Sequence, residues 1–228
     1  PPTLIFQPTL ENYATLNSTT PFTHYALNSL IVTTGSTVLG LALGAPAAFV
    51  ASWTRITWPA VVTLMARMAP GTLFLLPWHV MFRQVDMIGS YWALILTHAV
   101  ITLPVVIWVL LPYFDNIPRS IYEAAQVDGC APTRIFRRIA LPLVSSGLAV
   151  SAILAFVFSW NFFLFSLVLS NSQSKTLIAA SFNFIGEGST NWGGLMAAAT
   201  IIALPPLVLA AIVQRWLISG LTLGAVKG

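Results

Sequence analysis

Charge is what this chain has least of. Only 7% of its 228 residues are charged, ten Lys and Arg against six Asp and Glu. A soluble domain carries about 25%, so this chain cannot cover a surface that faces water on all sides. That excludes an ordinary soluble domain. It also reduces the net charge of +4 to a few basic residues at span ends rather than a nucleic-acid footprint. Cysteine is nearly absent. Cys130 stands alone, which excludes an internal disulfide and a cysteine metal cluster and leaves a small packing residue beside Gly129. No G-x-x-x-x-G-K-[ST] loop is present to cradle phosphates, no H-E-x-x-H to hold zinc and no G-x-S-x-G elbow to present a serine. A basic n-region followed by a short apolar run is missing too, so no signal peptide is read at Pro1.

Apolar residues are what the chain does have: 57% of the total, with a mean hydropathy of +0.85. The expected fold class is all-α, a polytopic transmembrane bundle. A span needs about 20 predominantly apolar residues. Five stretches qualify, at about Tyr25–Trp53, Trp58–Phe82, Tyr91–Phe114, Leu143–Ser170 and Trp192–Ile218. The first is rich in small residues (Gly35, Gly40, Gly44, Ala47, Ala48), the composition that lets helices approach closely in lipid. Pro70, Pro77, Pro104, Pro205 and Pro206 fall inside spans and predict kinks. Trp58, Trp78, Tyr91, Trp92 and Trp192 lie near span ends, where amphipathic rings anchor. Residues 1–24 are mixed and polar. They predict a surface segment with a short helix near Leu10–Leu16.

Short loops set the orientation. With the loop after the first span in the cytoplasm, that side carries seven basic residues: Arg55, Arg119, Arg134, Arg137, Arg138, Arg215 and Lys227. The other side carries two, Arg83 and Lys175. The positive-inside rule then places residues 1–24 outside and the tail, residues 220–228, in the cytoplasm. An outside start without a signal peptide inserts poorly, and a sixth span upstream of Pro1 is the expectation that resolves it.

One polar island interrupts the apolar runs, at 115–142. It holds Arg119, Arg134, Arg137 and Arg138 together with Glu123 and Asp128, and it must face water or another protein. Ser120 with Glu123 three residues later has the capping-box spacing. Gly129 is placed to end the helix with positive φ. A second helix is expected at about Pro132–Ile139, with Pro142 opening the fourth span. The first helix presents Ile121, Ala124, Ala125 and Val127 as small and apolar side chains suited to a groove. At about two turns it is too short to stand alone. Spacing alone leaves two readings open, docking on a partner or an amphipathic helix on the membrane surface.

The pattern Glu123-Ala124-Ala125, Gly129 and Ile139-Ala140-Leu141-Pro142 resembles the signature loop of ABC importer permeases. Thr9-Leu10-Glu11-Asn12-Tyr13, Asn28-Ser29-Leu30, Ala47-Ala48-Phe49, Ile117-Pro118, Trp160-Asn161 and the ending Gly220–Gly228 are similar to the binding-protein-dependent, maltose-type sugar branch. The resemblance implies six spans in the full chain. It also implies a partner set: a second homologous permease subunit, two cytoplasmic ATPase subunits that bind ATP and Mg, and an extracytoplasmic solute-binding protein. The implied cargo is a sugar or related polyol carried across the bacterial inner membrane. This chain would hold no cofactor and no catalytic residue of its own. Glu123, Ala124, Ala125, Asp128, Gly129, Leu141 and Pro142 would form the coupling element seated in an ATPase groove.

Four residues are candidates for the solute pathway. Arg67 sits about 15 Å from one end of the second span, and His98 lies within about 6 Å of it along the membrane normal. Intramembrane ionisable residues are costly and point to function. The alternative for Arg67 is to bond carbonyls freed by Pro70. A sugar phosphate such as glycerol 3-phosphate is a variant cargo that Arg67 motivates. Trp160 and Asn161 pair a ring with an amide in the fourth span, suited either to a sugar or to helix–helix bonding. The family often places an acidic residue after this pair, where this chain has Phe162. An ion-coupled secondary transporter would need paired broken repeats and carboxylates in the spans, and no acid falls within an apolar run. An intramembrane enzyme would need a nucleophile beside His98, and no serine motif accompanies it.

Overall fold

The computed structural model describes residues 9–56, 58, 61–63, 65, 71–185 and 191–224, and its regular elements are helices. In order they are α1 (Glu11–Thr19), α2 (Phe22–Thr54), α3 (Thr72–Gln84), α4 (Tyr91–Asp115), α5 (Arg119–Val127) and α6 (Pro132–Ile135). A π-helical turn, Phe136–Ala140, carries α6 into α7 (Leu141–Leu143), and α8 (Ser145–Trp160), α9 (Leu164–Leu169), α10 (Leu177–Ser181) and α11 (Trp192–Gly224) follow. Phe22–Thr54, Tyr91–Asp115 and Trp192–Ile212 are each long and apolar enough to cross a membrane. The second expected span is described continuously only from Gly71, and Arg67 and Pro70 lie outside the described residues.

Small residues position the bundle. Helix α2 lies along α4, and α8 packs on both. A Cβ added at Gly40 would stand 2.6 Å from Thr102 Oγ1, and one at Gly44 would stand 2.8 Å from Val106 Cγ1. The expected small-residue face is therefore a contact face at Gly40 and Gly44, while Ala47 of the same set is exposed. In lipid, where apolar side chains gain nothing by leaving solvent, such close approach is what holds helices together. Gly147 does the same for α8, where an added Cβ would meet the Tyr113 ring at 2.6 Å. Only 11% of the apolar window of α11 within Trp192–Ile212 is buried, so most of that window faces outward from this chain.

Two expectations change. The fourth span is not one helix: α8 ends at Trp160, the chain breaks at Asn161–Phe163, and α9 resumes at Leu164. Pro142 does not open it either. The segment Pro132–Leu143 meets Ser145–Trp160 at 81°, and the corner is the buried Val144. Proline at Pro142 is tolerated because it falls in the first turn of α7, where its missing N–H is not needed.

At the end of the bundle opposite the 115–142 island, side chains replace regular structure. Asn28 Nδ2 donates to the carbonyls of Gln173 and Lys175 at 2.7 and 3.0 Å, and Tyr91 Oη donates to Asn28 Oδ1 at 2.7 Å. The Leu177 amide donates to Ser29 Oγ at 2.7 Å. Asn28 and Ser29 thereby clamp the loop after α9 onto α2. The short expected helix at the N-terminal side is α1, which packs on α11.

Candidate functional site

The polar island folds as a two-sided platform. Helix α5 starts at Arg119 rather than after a Ser120 cap. Pro118 occupies the N-cap with no side-chain bond, so the capping box is not used. The other end follows expectation. Gly129 has φ +74, its amide donates to Gln126 O at 3.0 Å, and the Cys130 amide donates to Ala125 O at 2.9 Å. That pair of bonds is the Schellman ending that a positive φ permits.

The inner side of the platform belongs to the bundle core. Tyr122, Ala125, Ile135 and Ala140 are buried in one cluster with Phe49, Leu110 and Phe114 of α2 and α4. Cys130 packs on the same cluster. Phe49 is the hub. Its ring lies 6.0 Å from Tyr122, 5.7 Å from Phe114 and 5.1 Å from Phe136, centre to centre. Trp53 adds a 5.1 Å contact to Tyr122. Offset and edge-on aromatic pairs of this kind fix ring orientation as well as burying area. The platform is thus bolted to two spans through rings.

The outer side carries the remaining signature residues. Glu123, Ala124, Asp128, Gly129 and Pro142 are exposed, Leu141 is half-buried, and Val127 is 89% exposed. Ala125 departs from the expected coupling surface: at 6% exposure it faces the core and cannot enter a partner's groove. Ile121, Ala124 and Val127 keep the outward position. A cleft of about 130 Å³ opens beside α5 between Ser52, Asp115, Tyr122, Glu123 and Gln126. Ser52 Oγ donates to Asp115 Oδ1 at 2.6 Å along its wall. Burial, and then the nearby Asp115 carboxylate, raise the Tyr122 phenol above its ordinary range.

The four pathway candidates separate. His98 is 1% exposed, with Nδ1 sharing a 2.9 Å hydrogen bond with Ser159 Oγ. It therefore lies inside the three-helix contact and lines no open path. Trp160 is buried and donates its indole N–H to Ile202 O at 3.0 Å, which ties α8 to α11. Asn161 is exposed at the break and donates to Val157 O of its own helix at 2.8 Å, and among the described residues it bonds no neighbouring helix. Arg67 is outside the described residues. Sequence reading did not single out Ser36, Thr102 and Ser159, which join His98. Their signal was serine and threonine inside otherwise apolar runs, a pattern too common to select them. Nor did it single out Phe114 and Phe136, whose role depends on which helices meet.

Residues 18–222 match the family described as the inner membrane component of binding-protein-dependent transport systems. The chain belongs to that family. It is 35% identical over 229 residues to a probable ABC transporter permease of Sinorhizobium fredii, covering all of this chain and 83% of that protein. It is 32% identical to the trehalose transport system permease of Mycobacterium tuberculosis, over 96% of this chain and 82% of the relative. The trehalose/maltose transport system permease of Thermococcus litoralis is 31% identical, over 100% and 84% respectively. A crystal structure of a bacterial ABC transporter involved in import of the acidic polysaccharide alginate superposes with a TM-score of 0.71. That match covers 94% of this chain and 83% of the other at 18% identity, a likeness of fold. This permease is therefore a multi-pass membrane protein that works with other subunits of a binding-protein-dependent transporter.

Proposed function

We propose that this permease forms, with a second homologous subunit, the path of an ATP-driven importer for a sugar or related polyol. Two cytoplasmic ATPases would bind ATP and Mg, one of them seating on the platform at 115–142, and an external binding protein would deliver the solute. The carrying observation is the two-sidedness of α5. One face is locked into the core through Phe49, while Val127, Ala124 and Glu123 stand bare on the other. A short helix with an exposed valine beside a carboxylate suits a groove in a neighbouring protein. Its ring contacts to α2 and α4 would pass the neighbour's movement inward, because a packed core yields little. The arginine distribution favours this end being cytoplasmic, with residues 1–24 outside, a permease domain at 25–219 and a cytoplasmic tail at 220–228. The sugar class rests on relatives named for trehalose and maltose. Asn161 is the best-placed contact, since an exposed amide at membrane depth suits a wet path rather than lipid.

The test is cross-linking from Ala124→Cys in a Cys130→Ser background. The expected product joins this chain to a nucleotide-hydrolysing subunit, and Glu123→Ala lowers ATP-driven uptake while membrane insertion persists. Cross-links to lipid alone, with uptake intact in Glu123→Ala, would overturn the proposal.

A further inference from the structure

Four polar residues meet at the level where the fourth span breaks. His98 and Thr102 come from α4, Ser36 from α2 and Ser159 from α8. All four are buried. Ser36 Oγ donates to Thr33 O at 3.0 Å, Ser36 Oγ and Ser159 Oγ are 2.8 Å apart, and His98 Nδ1 is 2.9 Å from Ser159 Oγ. Thr102 Oγ1 donates to the carbonyl of Ser36 at 2.8 Å.

Counting protons fixes the direction of this chain. Each hydroxyl has one hydrogen to give. Ser36 gives its own to Thr33 O, so Ser159 must donate to Ser36, and Ser159 is left to accept from His98. The imidazole therefore carries its proton on Nδ1, and the relay runs from His98 through Ser159 and Ser36 to Thr33. The reverse direction makes one bond fewer and buries an unpaired N–H. In the favoured direction Nε2 is a bare acceptor, and it is buried without a partner among the described residues. What the site gains is the other end of the ring: aligned hydrogen bonds in a low-dielectric interior strengthen one another.

Ser159 immediately precedes Trp160 and the break at Asn161–Phe163. Phe162, within the break, meets the His98 ring edge-on with centroids 5.8 Å apart, and Phe165 of α9 lies at 6.5 Å. The imidazole thus touches the chain on both sides of the interruption. We propose that His98 is a positioning residue: its Nδ1–H latches Ser159 to α2 and α4 and so fixes the angle at which α9 leaves the broken span. Its part in transport rests on the proposed pathway past Asn161.

Asparagine and glutamine separate this role from simple packing. The asparagine amide reaches where Nδ1 reaches, and the glutamine amide reaches where Nε2 reaches. Nitroxide labels at Leu96→Cys on α4 and Leu167→Cys on α9, both at exposed positions, would report the angle in the assembled transporter in lipid, with Cys130→Ser as background. A narrow distance distribution is expected for the native histidine and for His98→Asn. His98→Gln, His98→Leu and Ser159→Ala should broaden it at least twofold. Equal broadening by His98→Asn and His98→Gln, or none in any variant, overturns the latch. This readout does not use uptake. The pathway has its own separate failure, an Asn161→Cys that a water-soluble maleimide never labels.

Discussion

The indole N–H of Trp160 donates to the carbonyl of Ile202 at 3.0 Å, and the residue that would have bonded that carbonyl within α11 is Pro206. Proline has no N–H to give. Trp160 therefore supplies from α8 the donor that Pro206 removes, as mid-span prolines require in lipid. Trp160→Phe would keep a ring against Phe156, stacked at 5.6 Å, but would orphan the carbonyl. The expected loss is about 1–3 kcal/mol, read as a lower apparent melting temperature in detergent with apparent solute affinity unchanged. A shift in affinity without a shift in melting would return Trp160 to the solute pathway.

Gly129 offers a cleaner separation of backbone from contact. A Cβ added there meets nothing within 4 Å, so Gly129→Ala should cost only its left-handed backbone, about 1–2 kcal/mol. Uptake and insertion should stay near native. Gly129→Pro also loses the amide bond to Gln126 and forces φ negative. It should release the 115–142 loop to protease and depress ATP-driven uptake while the spans remain inserted. Native protease resistance in Gly129→Pro would mean that the Schellman ending does not hold the loop.

The α2–α4 seam predicts the opposite behaviour, where contact decides everything. Gly40→Val drives a branched side chain into Thr102, and overpacking of this kind costs about 1–3 kcal/mol. It should also disturb the bond from Thr102 to Ser36. Ala47→Val, at an exposed position of the same helix, should be neutral. The measurement is the yield and apparent melting temperature of inserted protein. Equal yields for both variants would show that the seam is looser than these distances.

The glycine spacing of α2, the island at 115–142 and the positive φ of Gly129 were legible in the sequence because each rests on local physics: close approach, the cost of polar groups in lipid, and the freedom of glycine. Ser120 misled because Pro118 had already started the helix at Arg119, and proline at the N-cap outranked a capping side chain. The break at Asn161–Phe163 was hidden in an unbroken apolar run. The His98–Ser159 contact beside it joins two helices, which no single stretch records. Ala125 looked like its neighbour Ala124, but one helical step of 100° turns one to the core and the other to the outside.

Tyr122 gives the platform a pH dependence. Its hydroxyl is buried without a hydrogen-bond partner among the described residues, and burial followed by the Asp115 carboxylate raises its proton affinity in the folded state. The unfolded phenol titrates near its ordinary value of 10.0. Above that pH the unfolded chain loses the proton first, so the folded state binds more protons and stability falls as pH rises. The contribution is fully present below pH 10 and is lost as pH climbs through the raised folded value. Protease sensitivity of the 115–142 loop should therefore increase in alkaline buffer for the native protein. Tyr122→Phe removes both the ionisation and the unpaired hydroxyl while keeping the ring against Phe49 and Trp53. Its loop should be at least as resistant at neutral pH and should lose the alkaline step. An identical alkaline profile in native and Tyr122→Phe would place the titrating group elsewhere.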